Sequence, residues 1–294
     1  MAEVSSELKQ VFHTWAGLAS HLIGACFDQA KPFLDEDFVD IDPYVRGVSA
    51  QLFIDCHLTS ESVLLLIREA KEWDADLLNR SVMEGSIKYV YMLLGDTKEI
   101  RKKAEEYWET LPSFAAIKHS ERAKRFLQDI PDPENSEWLP FRDLILEDND
   151  VEAISRSYTR AQRRALKEKW SFSGISREFI QSDDSGLRFL SHLAHGYGMS
   201  SHLLHKDADG VGMVWERYRR DPHRQLAAKI GHSARVVSDV CTFAKLRLKY
   251  LLRLCNSSIE PIREIEKQYE FLSKELAKAN SHFTKVEYGP TEIP

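Results

Sequence analysis

Apolar residues recur along this chain at intervals of three and four positions, the spacing that gives an α-helix one buried face. Near the N-terminus they fall at Leu8, Val11, Phe12, Trp15, Leu18, Ala19 and Leu22. No run of alternating β-branched residues is long enough to predict a sheet. The pattern therefore predicts an all-α protein, built as a multi-helix bundle.

We expect three segments along the chain. Residues 1–46 form an N-terminal helix and an acidic connector, and residues 47–256 form the core of the bundle. Residues 257–294 supply the last helix and a frayed tail. Two long helices, over residues 222–256 and 261–283, are joined by a short connection, which predicts a long C-terminal antiparallel hairpin.

Composition excludes several classes of protein. The four cysteines show neither Cys-x-x-Cys pairs nor zinc-ribbon spacing. The longest apolar runs, residues 63–67 and 90–94, are too short to span a bilayer. The N-terminus has no basic start followed by an apolar core, as a signal peptide would. We therefore expect a cytoplasmic protein that does not use a membrane.

Charge is spread unevenly around a net value of −6. Residues 216–253 hold ten lysines and arginines against three acids, and a helix predicted over residues 151–170 is basic on its outer face. That outer face carries Arg156, Arg160, Arg163, Arg164, Lys167 and Lys169. Such faces either balance acidic neighbours or steer an anionic partner such as RNA.

Four of the eleven histidines lie between residues 192 and 205. On a helix, Arg188, Ser191, His192 and His195 share one face. An arginine beside a titratable histidine suits RNA cleavage without a metal, because the histidine can take a proton from a ribose 2′-hydroxyl while the arginine stabilises the phosphorane. The alternative is that this pair only bridges neighbouring helices.

The same segment offers a metal-site alternative. His192-x-x-His195 and His202-x-x-His205 are two doublets whose imidazoles could chelate zinc or iron, as in a metal-dependent hydrolase. Gly196 and Gly198 are expected to interrupt the helix between the doublets, and no Glu-x-x-His or His-Glu-x-x-His motif is present. We therefore expect neither a metal nor another cofactor.

Arg80 and Glu84 lie four residues apart within an otherwise apolar helix. Charges at such positions are rarely left alone in a core, so each should pair with the other or reach a partner. One interpretation is a buried bridge that fixes how two helices pack. In the other, Glu84 orients His195 or His192, as carboxylates commonly fix imidazole tautomers.

Two short motifs carry a family resemblance. Arg80-Ser81-x-x-Glu84 continues into apolar residues 87–93, and Phe189-Leu-Ser191-x-x-x-His195 follows a hundred residues later. They resemble the two signatures of a bacterial all-α family known as domain of unknown function 5677. The resemblance covers roughly residues 50–255.

Arg188-x6-His195 is also similar to the motif of the HEPN superfamily, an arginine followed after four to six residues by a histidine. This resemblance implies a metal-independent endoribonuclease of a prokaryotic toxin, antiviral defence or stress system. His195 would be the general base or acid and Arg188 the phosphate stabiliser. His192, Ser191 and Glu84 would support them, and Arg80 belongs to the same candidate set.

Phe189 departs from the HEPN pattern, in which the residue after the arginine is usually Asn, Asp or His. Many relatives are binding or scaffold modules without activity, so a non-catalytic interaction protein is the alternative function. If the chain is catalytic, the resemblance implies a homodimer whose cleft takes Arg188 and His195 from both copies. RNA and a protein encoded nearby are the further partners that we expect.

Overall fold

The computed structural model describes residues 5–191 and 194–289, without the side chains of residues 191, 194–196 and 199. The all-α prediction is confirmed, since the described residues contain no strand. In chain order the α-helices are α1 (Ser6–Leu34), α2 (Pro43–Arg68), α3 (Glu72–Met92), α4 (Thr97–Glu105), α5 (Leu111–Asp129), α6 (Leu139–Arg142), α7 (Asp148–Ser157), α8 (Arg160–Lys169), α9 (Phe172–Ile180), α10 (Ser185–Ser191), α11 (Ala194–His205), α12 (Ala208–Tyr218), α13 (Pro222–Leu254), α14 (Glu260–Gln268) and α15 (Glu270–Tyr288).

The chain forms two compact units. One comprises residues 1–94 and 179–294, and the other comprises residues 95–178. The boundaries near residues 46 and 256 that the sequence predicts stay predictions. Both α1 and α15 pack within the first unit, against α13.

The core of the first unit lies where α1, α2, α3, α13 and α15 meet. Aromatic and β-branched side chains fill it, among them Phe12, Phe53, Val90 and Phe243, all with at most 1% exposure. Of the described helices, α2 is long and apolar enough by composition to cross a membrane. One face of α2 is buried against α1 and α3, as in the core helix of a bundle.

The second unit is organised around a π-helical turn over Glu106–Thr110, between α4 and α5. The carboxylate of Glu106 is buried there and accepts hydrogen bonds from Lys169 Nζ at 2.6 Å and Trp170 Nε1 at 2.9 Å. Because a buried carboxylate needs such donors, this contact ties the end of α8 to the π-helical turn that follows α4.

The single helix predicted over residues 151–170 is wrong, because the chain breaks between α7 and α8. Tyr158 is extended, and Thr159 caps α8. The Thr159 hydroxyl accepts from the Gln162 backbone N–H at 3.2 Å, and the Gln162 side chain accepts from the Thr159 backbone N–H at 2.8 Å. This reciprocal capping box satisfies the first N–H groups of α8 and makes the break favourable.

Two further expectations differ from the structure. Helix α11 continues through Gly196 and Gly198 instead of being interrupted there, and Asp207 caps the next helix, α12. The return arm of the predicted C-terminal hairpin is not one helix but two, α14 and α15, which meet at Tyr269. Helix α13 packs along α15.

Gly231 allows this close approach of α13 and α15. A Cβ at this position would lie 2.6 Å from Cβ and Cγ of Phe283, too near the α15 backbone for a side-chain rotation to relieve. We expect Gly231→Ala to lower the free energy of unfolding by about 1–2 kcal/mol, because overpacking outweighs the gain in helix propensity. Urea denaturation measures this change.

Gly24→Ala is the matched control, since an added Cβ meets nothing within 4 Å inside helix α1. It should raise stability by up to about 1 kcal/mol. Equal stabilisation by both substitutions would contradict the tight contact at Gly231.

Candidate functional site

Helix α11, which carries His195, packs on α3 at the two charged residues that the sequence singles out. Arg80 Nη2 donates to the hydroxyl of Tyr197 at 2.8 Å, and the guanidinium lies 4.2 Å from the centre of the tyrosine ring. The same hydroxyl donates to Glu84 Oε2 at 2.9 Å. Arg80 and Glu84 therefore share Tyr197 as a partner across the two helices.

The electrostatics of this network keep Glu84 ionised. Burial by itself would raise the pKa of Glu84, but the hydrogen bond and charge of Lys88, whose Nζ lies 2.6 Å from Oε1, outweigh it. Together with Tyr197 and Arg80 they hold the pKa of Glu84 below its usual range. Burial raises the pKa of Tyr197, so its hydroxyl keeps the proton that it donates.

Arg80 retains unused hydrogen-bonding capacity beside α11. Its Nε and Nη1 atoms are buried and have no hydrogen-bond partner in the part of the chain that the structure describes. A buried N–H without an acceptor is costly, and such groups occur where a ligand or a neighbouring polar group completes the site.

Of the remaining members of the predicted catalytic set, Arg188 and Ser191 lie on α10 and His195 lies on α11. Arg188 is exposed on α10, and its Nη1 donates to the carbonyl of Ser182 at 2.7 Å. His192 lies outside the described residues, as do the side chains of Ser191 and His195. The proximity of Arg188 to His195 therefore stays a prediction.

Residues that could hold a metal are grouped at the end of α11. The ligand atoms of His202, Asp207 and Asp209 all lie within 4.8 Å of one another. His202 Nδ1 is 2.7 Å from Asp207 Oδ2, and this hydrogen bond raises the pKa of His202. His205, its predicted partner in the doublet, is exposed and outside this group.

A buried polar network between α3 and α13 was missed by sequence reasoning. His232 Nε2 lies 3.1 Å from Asp76 Oδ2, and Arg235 Nη2 lies 2.8 Å from Asp76 Oδ1. Burial lowers the pKa of His232, so we assign the neutral ring with its Nε2–H donating to Asp76. Burial alone would raise the pKa of Asp76, but His232 and Arg235 lower it to about 2.

The network continues along both helices. Asp239 accepts hydrogen bonds from Asn79 Nδ2 at 3.1 Å and Arg235 Nη1 at 3.0 Å. Two turns further on, the fully buried Arg247 donates to Ser86 Oγ at 2.5 Å. The polar residues of α3 recur at helical spacing, which is a visible signal, but nothing in the sequence indicates their partners on α13.

The basic segment of residues 216–253 is largely neutralised by ion pairs within the first unit. Its lysines and arginines bind carboxylates in five places, namely Arg220 and Arg224 with Glu287, Lys229 with Glu72, Arg235 with Asp76 and Asp239, Lys245 with Glu266, and Arg253 with Asp184. Charge that is already paired attracts a polyanion only weakly.

Asp239 makes the stability of the fold depend on pH. Burial raises its pKa to about 6, and Arg235 and Asn79 offset this only in part. In the unfolded chain an aspartate titrates near 3.9. The folded state therefore binds the extra proton between these values, and the stabilisation present below about pH 4 is lost as pH rises through about 6.

We therefore expect wild type to lose stability relative to Asp239→Asn between pH 4.5 and pH 7, because asparagine cannot ionise. Urea denaturation of both proteins at each pH measures this difference, in which the other titrating groups cancel. Asp209→Asn, at an exposed position, is the control and should follow wild type. A constant difference between wild type and Asp239→Asn would contradict the raised pKa.

No protein-family model, curated protein or solved structure matches the chain. The resemblance of the Arg80–Glu84 and Arg188–His195 motifs to known families therefore stays a prediction.

Proposed function

We propose that the chain is a metal-independent endoribonuclease of a prokaryotic toxin, antiviral defence or stress system, acting in the cytoplasm. The observation that supports this proposal is the anchoring of α11 to α3 through Arg80, Tyr197 and Glu84. His195 lies two residues before Tyr197, so this network limits the freedom of the helical turn that would carry the general base. Catalysis needs such positioning.

In the proposed mechanism, His195 removes the proton from a ribose 2′-hydroxyl. The 2′-oxygen attacks the adjacent phosphorus, and the bond from phosphorus to the 5′-oxygen breaks. The leaving oxygen takes a proton from His192 or from His195 of a second copy, which gives a 2′,3′-cyclic phosphate and a 5′-hydroxyl. Arg188 stabilises the charge that develops on the phosphorane.

Arg80 and Glu84 act in this proposal as positioning residues. Their described contacts go to Tyr197 of α11 and to Lys88, which supports an effect on the orientation of α11 rather than on the reacting phosphate. Ser191 supports the site from the end of α10.

A second candidate function is a non-catalytic interaction module, and exposed apolar side chains favour it. Phe189 on α10 is 61% exposed, and Trp215 and Tyr218 on α12 are 58% and 53% exposed and stack at 5.8 Å. Exposed aromatic groups of this kind are enriched at protein interfaces. They fit either a homodimer, as the nuclease proposal expects, or a protein encoded nearby.

Cleavage of RNA in the presence of EDTA tests the nuclease proposal. We expect wild type to produce ends with 2′,3′-cyclic phosphate, and both Arg188→Ala and His195→Ala to lower the rate by about 100-fold or more, the range for a lost general acid or base. His205→Ala is the matched control on the same helix and should cleave like wild type.

Two results would contradict the nuclease proposal. If wild type leaves RNA intact with and without added metal, the interaction module becomes the leading function. Cleavage that EDTA abolishes and that fails in His202→Ala would instead favour a metal-dependent hydrolase using the group at His202.

A further inference from the structure

A groove of about 640 Å³ lies between α5 and α8, within the second unit. Phe114 and Ile117 of α5 contribute its buried apolar wall. Five cations line it, Lys118 from α5 and Arg160, Arg163, Arg164 and Lys167 from α8. Two carboxylates, those of Glu121 and Glu168, also lie on its surface.

The capping box at Thr159 explains why these cations converge. It starts α8 at Arg160, and residues at that position and three, four and seven positions later share one face of a helix. Helix α8 has no fully buried residue of its own. The face that it turns toward α5 is therefore a row of positive charges instead of an apolar stripe.

These five cations are not neutralised by the protein. None of them forms an ion pair with a carboxylate anywhere in residues 5–191 and 194–289. Their neighbours do, since Arg156 binds Glu152 at 2.6 Å and Lys169 binds Glu106 at 2.6 Å. Glu168, although it lines the groove, is occupied by Arg177.

Burial and like charges both act on Lys167 inside the groove. Burial first, and then the charges of Lys118 and Arg163, lower the pKa of Lys167. Its Nζ lies 5.7 Å from the centre of the Phe114 ring. A row of unpaired cations destabilises the compact state by self-repulsion, and a bound polyanion removes this cost.

We propose that this groove binds the phosphate backbone of single-stranded RNA. From Arg160 to Lys167 the helix rises by about 10 Å, so the row of cations can contact successive phosphates of one strand. Phe114 is buried beneath Lys167 and leaves no aromatic face for a base. Recognition therefore goes through phosphates and is independent of sequence.

Only the choice of RNA as the polyanion rests on the proposed function. A free nucleotide triphosphate shares the same phosphate chemistry and is the rival occupant. The length of the cationic row along α8 favours a strand that extends past the groove over a ligand with three phosphates at one end.

Fluorescence anisotropy with a labelled single-stranded RNA tests the groove. The full chain carries His195→Ala throughout, so that cleavage does not interfere. We expect the double substitution Arg160→Glu and Arg164→Glu to raise Kd at least tenfold. It should also flatten the dependence of log K on log salt by about 0.7 for each phosphate that the groove no longer neutralises.

The matched control is the double substitution Arg156→Glu with Arg263→Glu, which changes the net charge by the same amount. Both arginines are exposed, lie outside the groove and form surface ion pairs. It should change Kd less than threefold. Equal weakening in both double variants would show attraction to net charge alone and overturn the proposal. Arg160→Gln with Arg164→Gln repeats the test with a smaller perturbation, and circular dichroism establishes that each variant folds.

Titration with ATP separates the two occupants. If ATP binds the wild-type groove and the groove substitutions abolish ATP binding while leaving RNA binding unchanged, the RNA assignment is wrong. The outcomes also separate this proposal from the nuclease proposal. If RNA binds through the groove but is never cleaved, only the nuclease proposal is contradicted. If wild type cleaves RNA and the groove variants bind RNA normally, only the groove proposal is contradicted.

Discussion

Charged groups buried between α3 and α13 determine how these two helices of the first unit pack. Asp76 of α3 contacts His232 and Arg235 of α13. Asp239 of α13 contacts Asn79 of α3 and, one turn away on its own helix, Arg235. Removing one partner of a buried ion pair costs about 3–5 kcal/mol, because the other charge is left uncompensated. The two helices therefore have one favourable register.

That register determines where the candidate site lies. Arg80 and Glu84 occupy the face of α3 next to the one that pairs with α13, so the α3–α13 network also sets their direction. Through Tyr197 they hold α11 and the turn that carries His195. The second unit contributes differently, since α8 presents unpaired cations along a groove, whereas the cations of residues 216–253 are mostly paired. In our two proposals, the positioning of the candidate base therefore belongs to the first unit and the attraction of a polyanion to the second.

Periodicity was sufficient to predict the all-α class, because a buried stripe at helical spacing is a local property of the sequence. Interruptions were predicted less well. Gly196 and Gly198 cost only about 1 kcal/mol each relative to alanine, and α11 forms despite them. Thr159-x-x-Gln162 is a capping box and indicates the break before α8. The prediction of one helix over residues 151–170 instead followed the basic residues, which continue across the break.

The site was predicted only in part for a related reason. A charge such as Arg80 within an apolar helix indicates that some partner exists, but Tyr197 lies 117 positions away and no local pattern points to it. The partners of Asp76 on α13 are similarly remote, 156 positions away for His232. Sequence also does not distinguish a paired arginine from an unpaired one. For this reason the sequence gives residues 216–253 the same weight as the basic face of residues 151–170.

Hydrogen exchange at the amides of α11 in Tyr197→Phe tests the central claim most directly, because this substitution removes only the hydroxyl that joins Arg80 to Glu84. We predict exchange about tenfold faster or more across Ala194–His205, since both partners lose a partly buried hydrogen bond. Exchange in α13 should stay unchanged. Unaltered exchange in α11 would contradict the claim that α3 holds the candidate site in place.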